Sequence, residues 1–303
     1  MVRHRPRSDF SAGRCCDRAV TDNSFDAPAL RVVAEQLATD AAEFVARRRA
    51  EVFGTVAASG GAGVRDDAGT VRSKSTPTDP VTIVDTETER WLRERLAVLR
   101  PGEAILGEEE GGQQDGRRGL SWVIDPIDGT VNFVYGIPAY AVSVAVQYDG
   151  RSVAGAVANV PAGEVYSAAL GHGAEVVRDG VRTALRCSGV EDLSMALVGT
   201  GFAYDAGRRG RQAAVLAQLL PSVRDVRRIG SCALDLCMVA AGRLDAYYEE
   251  GVQVWDWAAA ALIAAEAGAT VWLPTGATEQ VAASAPGIAD ALHRALAGAG
   301  MDL

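Results

Sequence analysis

Apolar residues recur three and four positions apart from Leu30 to Val45, through Val33, Ala34, Leu37, Ala41 and Phe44. That spacing lines one face of an α-helix. Asp26-Ala27-Pro28 supplies a start, an acidic cap with an early proline, and Gly54 supplies a stop. Residues 59–72, SGGAGVRDDAGTVR, break the pattern and predict a flexible loop. A second helical stripe over 82–99 carries Val84, Trp91, Leu92, Leu96 and Leu99 and ends at Pro101-Gly102.

The pattern then changes to that of strands. Residues 104–107 and 121–125 predict short apolar strands, and 140–148, 153–159, 164–170, 174–178 and 181–186 predict a meander. Asp179-Gly180 is the two-residue turn that such a hairpin prefers. Beyond residue 190, strands at 196–199, 224–229, 244–248, 270–273 and 281–284 alternate with helices at 209–220, 231–241, 256–267 and 287–298. The order predicts an α+β half, 27–186, followed by an α/β half, 187–303, without repeats or a long linker. Residues 1–26 are polar, with Arg3, Arg5, Arg7, Arg14 and Arg18 and no apolar stretch. They read as a disordered tail or a misplaced start codon, not as a secretory signal.

Composition narrows the function. A formal charge of −9 over 303 residues argues against a broad electropositive surface, so no direct nucleic-acid binding is expected. No apolar run reaches the ~18 residues of a membrane span, so no membrane association is expected. Five cysteines, an odd count without zinc or thioredoxin spacing, fit a reducing compartment and a cytoplasmic location. The chain has 29 arginines and one lysine, Lys74, which makes that compact ammonium informative.

Four stretches carry candidate chemistry. In Trp122-Val-Ile-Asp125-Pro-Ile-Asp128-Gly129-Thr130-Val-Asn132-Phe133 an apolar strand ends at Asp125. Pro126 and Gly129 force a sharp turn there, and Thr130 opens a helix. Two carboxylates would converge beside free backbone N–H groups, the setting in which Mg²⁺ bridges acids to a phosphate. Alone, the motif also fits an ordinary surface turn. Gly107-Glu108-Glu109-Glu110-Gly111-Gly112 follows a short strand, where α/β ligand sites collect, although an acidic run alone also fits a solvated loop. Val254-Trp255-Asp256-Trp257 opens an alanine-rich helix. Asp256 fits a first-turn acid, and the flanking tryptophans predict that it is deeply buried. Lys74-Ser-Thr-Pro-Thr-Asp-Pro-Val-Thr-Ile-Val-Asp85 leads into a capped helix.

Together and in this order, the four stretches resemble the inositol monophosphatase superfamily of Mg²⁺-dependent, lithium-sensitive phosphatases, above all its bacterial branch. The resemblance runs from residue 30 to 298. It implies an α+β fold, a layered αβαβα sandwich of the sugar-phosphatase type, with a metal-binding domain at 27–186 and an α/β domain at 187–303 that completes the active site. It implies that Glu108, Asp125 and the Ile127 carbonyl bind a first Mg²⁺, and that Asp125, Asp128 and Asp256 bind a second. Glu108 would help to hold a third through waters. Thr130 and Asp85 would orient the attacking water. The N–H groups of Gly129 and Thr130 would face the phosphate, with Asp128 and Asp256 also beside the substrate. Glu249 would contact inositol hydroxyls, Gly230, Ser231 and Cys232 the ring, and Lys74 the metals from a mobile loop. Cys232 stands where the family pattern has a small residue such as alanine.

The implied reaction is hydrolysis of a small phosphate ester, myo-inositol 1-phosphate, by a cytoplasmic homodimer. A phosphate dianion repels an anionic nucleophile and a cage of carboxylates alike, and bound cations invert that field. Direct attack by water, with no phosphoenzyme, is expected. Two alternatives stay open: a broader sugar phosphatase that includes fructose 1,6-bisphosphate, and a regulatory or RNA-polymerase-associated binding protein on the same fold. Cysteine-phosphatase chemistry is disfavoured. Cys237 and Arg243 have the C-x5-R spacing, but Cys237 falls inside an apolar helical pattern. His4, His172 and His293 form no zinc motif, and no P-loop or G-x-S-x-G is present.

Overall fold

Alternate residues of the central strands face two different helical layers, and this sets the architecture. The computed structural model describes residues 25–54, 71–74, 80–112, 119–275, 279–301 and 303. The expected tail, apart from residues 25 and 26, and most of the loop expected at 59–72 lie outside the described residues.

The elements run in chain order α1 (Ala27–Phe53), β1 (Val71–Ser73), β2 (Pro80–Thr82), α2 (Ile83–Leu99), β3 (Ala104–Gly107), β4 (Leu120–Asp128), α3 (Thr130–Tyr135) and β5 (Ala141–Tyr148). Then come β6 (Arg151–Asn159), β7 (Glu164–Ala169), β8 (Ala174–Arg178), β9 (Val181–Ala184), β10 (Leu197–Thr200), α4 (Ala206–Leu219) and β11 (Asp225–Arg227). The chain ends with α5 (Cys232–Ala240), β12 (Ala246–Glu250), α6 (Val254–Glu266), β13 (Thr270–Trp272), β14 (Gln280–Ser284) and α7 (Ala289–Gly298). Strands β3 to β9 form a seven-stranded sheet in sequence order, parallel only between β3 and β4. The second sheet has the order β11-β10-β12-β14-β13, parallel among β10, β11 and β12 and antiparallel beyond.

On β4, Trp122 and Ile124 join the core beneath α1 and α2, whereas Val123 joins the core around α5 and α6. On β12, Tyr247 faces α5 and α6, whereas Ala246 and Tyr248 face α4 and α7. Each sheet is thus covered on both faces, and the layers stack α-β-α-β-α, as expected. The middle layer touches both sheets, so its helices have no polar face. From Ala258 to Ala264 every residue of α6 is buried, the signature of a helix enclosed all round. Alanine permits close approach there: a Cβ on Gly155 of β6 would stand 3.0 Å from Ala259.

Asp26 caps α1 by accepting the Ala29 N–H, and Gly54 ends it, both as the sequence predicts. Asp179 and Gly180 adopt positive φ in the β8–β9 turn. Three expectations are corrected. Residues 71 and 72, expected in a loop, belong to β1, which pairs with β2. The helix expected at 209–220 starts earlier, at Ala206, because Asp205 caps it. The strand expected to end at Asp125 runs to Asp128 through Pro126, and the sharp turn waits until Gly129.

Candidate active site

That last correction explains how the two motif acids meet. Residues three apart on a regular strand point to opposite faces. Here Asp125 pairs with Ser143 and Asp128 with Ala141, so three steps on β4 match two on β5. Proline cannot donate to the ladder, and a bulge absorbs the extra residue and re-aims the strand. Asp128 is thereby turned toward Asp125. Gly129 follows at φ 99°. A Cβ there would press on the carbonyls of Ala139 and Gly230, at 3.0 and 3.2 Å. Only glycine takes this corner without strain.

Asp256 arrives from the other half of the chain, in the first turn of α6, where its carboxylate accepts the Gln253 N–H at 2.6 Å. Asp125, Asp128 and Asp256 each offer an oxygen within 4.8 Å of the others. They line one pocket of about 520 Å³ together with Glu108, Ile127 and Lys74. Gly129, Thr130, Gly230, Cys232 and Glu249 line it too. The pocket sits over the carboxyl ends of β3, β4, β10, β11 and β12, the common place for ligands in such sheets. Asp125 and Asp128 are buried, but Asp256 and both flanking tryptophans are only half-buried. The deep burial expected there is corrected, because the pocket opens beside this turn.

The electrostatics are strained. Burial first, and then the charges of Glu108, Asp128 and Asp256, hold the Asp125 carboxyl well above the usual range. Burial first, and then the charges of Asp128, Glu108 and Glu249, raise Asp256 against the hydrogen bond from the Gln253 N–H. Burial raises Asp128 to about 7, against hydrogen bonds from the Ser231 hydroxyl (2.6 Å) and the Ala233 N–H (2.7 Å). Glu108 and Glu109 take the Lys74 ammonium at 2.7 and 2.5 Å, which outweighs its burial and raises its pKa. Hard oxygen donors crowded in this way, without imidazole, fit a hard divalent cation such as Mg²⁺.

Thr130 and Asp85 also meet. The Thr130 hydroxyl lies 3.2 Å from Asp85 and 3.1 Å from the Ile127 carbonyl. Asp85 is fully buried and doubles as the third residue of a capping box with Thr82. Burial raises it to about 6, although Thr82 opposes the shift.

Glu249 sits at the end of β12, held by the Tyr247 hydroxyl at 2.6 Å and raised by burial. Gly201 leaves room for it, since a Cβ there would overlap the carboxylate. Ser231, expected to touch the ring, is buried, caps α5 and gives its hydroxyl to Asp128. Cys232 lines the pocket, with its thiol pushed up by burial and by Asp128. Asn132 is buried outside the pocket lining and donates to the carbonyls of Ala139 and Ile229 at 2.7 and 2.9 Å. Cys237 is a core residue of α5, and Arg243 pairs with Glu164, far from phosphatase geometry.

Sequence reasoning missed several pocket residues, among them Arg228, Phe202, Tyr204 and Arg208. Their only signal is position: Phe202, Tyr204 and Arg228 lie just beyond the carboxyl ends of β10 and β11, and Arg208 lies in the first turn of α4. It also missed Gln212, whose buried amide accepts the Ala203 N–H at 2.8 Å and donates to the Glu250 carbonyl at 3.1 Å, tying two rim segments together.

The chain is similar to known proteins over nearly its whole length. The model of the "Inositol monophosphatase family" matches residues 26–300. An "Inositol-1-monophosphatase" of Mycobacterium leprae is 67% identical over 91% of this chain and 96% of its own length. The solved structure of "Mycobacterium tuberculosis SuhB" superposes with a TM-score of 0.76 at 57% identity, covering 92% of this chain and 98% of its own. A "Nus factor SuhB" of Pasteurella multocida is 40% identical over 75% of this chain and 83% of its own length.

Proposed function

The chain belongs to the inositol monophosphatase family, and from that premise we propose that it hydrolyses myo-inositol 1-phosphate to myo-inositol and phosphate with Mg²⁺. The observation that carries the reading is the convergence of Asp125, Asp128 and Asp256 within 4.8 Å in the pocket that Glu108 also lines. Glu108, Asp125 and the Ile127 carbonyl would hold one cation, and Asp125, Asp128 and Asp256 another. When bound, the metal supplies positive charge that offsets the carboxylates and the charge growing on the phosphoryl oxygens.

The remaining roles fall to the chain itself. Thr130, its proton directed to Asp85, keeps a lone pair free to accept from the attacking water and orient it. The N–H groups of Gly129 and Thr130 would face the phosphate, at the corner where the bulged strand β4 passes into α3. Glu249 accepts ring hydroxyls, and the backbone at Gly230 and Cys232 borders the ring. Ser231 acts on the substrate indirectly, by holding Asp128. Lys74 balances Glu108 and Glu109. Cys232, kept as a thiol, is a poor nucleophile, which favours direct attack by water. We also propose lithium sensitivity, a homodimer and a cytoplasmic location.

A phosphate-release panel tests the reading. Myo-inositol 1-phosphate is expected to turn over only with Mg²⁺, with inhibition by Li⁺ and slower release from fructose 1,6-bisphosphate. Release that persists in EDTA contradicts it. The relatives named Nus factor favour a second reading, a regulatory role on the same fold. Asp128→Asn separates the two. A cellular function that survives the loss of turnover supports the regulatory role.

A further inference from the structure

Glu89 is a fully buried carboxylate outside the pocket lining. Asp85, Glu89 and Arg93 follow one another at intervals of four on α2 and so share one stripe of the helix. A buried acid needs compensating partners, and those of Glu89 all belong to, or reach, one turn. Its oxygens accept the Glu109 N–H at 2.7 Å and the Glu110 N–H at 3.0 Å. Arg93 donates to it at 2.9 Å and also reaches the Gly111 carbonyl. A Cβ on Gly107 would overlap the Glu89 carboxylate, so Gly107 is the residue that lets it in. The turn closes on itself through the Gly107 N–H and the Gly111 carbonyl at 3.0 Å. Residues 107–111 are thus gripped from behind at two amides and one carbonyl, and the side chain of Glu108 is left facing the pocket and Lys74.

The structure assigns to Glu89, locked by Arg93, the role of a positioning residue: it fixes the turn that carries Glu108 and so sets the affinity of the site for divalent cation. The inference rests on the reading of Glu108 as a metal ligand. A carboxylate suits the task better than an amide. Two N–H groups and a guanidinium all point at it, and a glutamine would turn an NH₂ toward one of these donors. Because Asp85 lies one turn earlier, the same helix face fixes both the Thr130 partner and the Glu108 turn.

The test is direct Mg²⁺ binding by calorimetry to the wild type, E89Q, E108Q and the double variant, with turnover read across a Mg²⁺ titration. E89Q is expected to weaken Mg²⁺ binding about 10-fold, the lower end for groups that orient metal ligands. Its kcat is expected to return close to wild type at saturating Mg²⁺, which a general loss of structure would not allow. If Glu89 acts through Glu108, the double variant binds no more weakly than E108Q alone. R93Q, at a partly exposed position, is expected to shift binding in the same direction and serves if E89Q does not fold. Wild-type affinity in E89Q, or in R93Q where that variant stands in, overturns the inference, as do additive effects of E89Q and E108Q. Wild-type affinity in E108Q overturns the reading of Glu108 itself, and the inference with it.

Discussion

At the scale of residues, the site is a set of acids held where they resist ionisation. Asp128 is raised to about 7, Glu109 to about 7 and Asp85 to about 6, with burial the leading cause in each. Between the ordinary carboxylate range and these values, the metal-free native state binds more protons than the unfolded chain. Stability therefore falls as pH rises through that window. The melting temperature of metal-free protein is expected to drop from about pH 5 to about pH 8, and Mg²⁺ is expected to raise it more at the higher pH, where its ligands are deprotonated. A metal-free protein that grows more stable over that range contradicts the account. Much of this chemistry is legible in the sequence, because Asp125, Asp128, Asp256 and Glu108 each stand beside the end of a strand or the start of a helix. Glu89 and Gln212 are not legible. A polar residue on a helix reads as solvated, and only the fold shows that one is buried against a turn and the other against two rim segments.

At the scale of elements, α2 joins folding to chemistry. Thr82 accepts the Val84 N–H at 3.1 Å as the helix cap, and its hydroxyl lies 2.5 Å from Asp85. Thr82→Ala removes the cap and one of the two hydrogen bonds that residue 82 gives to Asp85, leaving only its backbone N–H to hold the acid that orients Thr130. It is expected to cost about 1 kcal/mol in urea unfolding and to cut turnover, while Thr82→Ser keeps both. Full turnover in Thr82→Ala would separate the cap from the chemistry. The helices and strands themselves were readable from periodicity, including the ends of α1 at Asp26 and Gly54. The bulge in β4 was not. Periodicity reports which residues are apolar, not where a proline-broken ladder shifts its register, and that shift is what brings Asp128 beside Asp125.

At the scale of the whole molecule, the five layers bring together residues far apart in the chain. Asp125 and Asp128 come from the first sheet, Glu108 from the turn after its strand β3, Glu249 from the second sheet, and Asp256 from the helix between them. Neither half holds the full set, so the two are best regarded as one functional body. Periodicity alone reads as an α+β half followed by an α/β half, and the layering was legible only through the resemblance that the four motif stretches carry. The rim, where Arg228 and the loop after β10 join the pocket, carries no such pattern. The measurement that tests the central claim most directly is anomalous scattering from crystals soaked with Mn²⁺ and inorganic phosphate. The account predicts manganese among Asp125, Asp128 and Asp256 and beside Glu108, with phosphate against Gly129 and Thr130, and loss of that density in Asp128→Asn. Manganese bound elsewhere, with this pocket empty while the enzyme turns over, contradicts it.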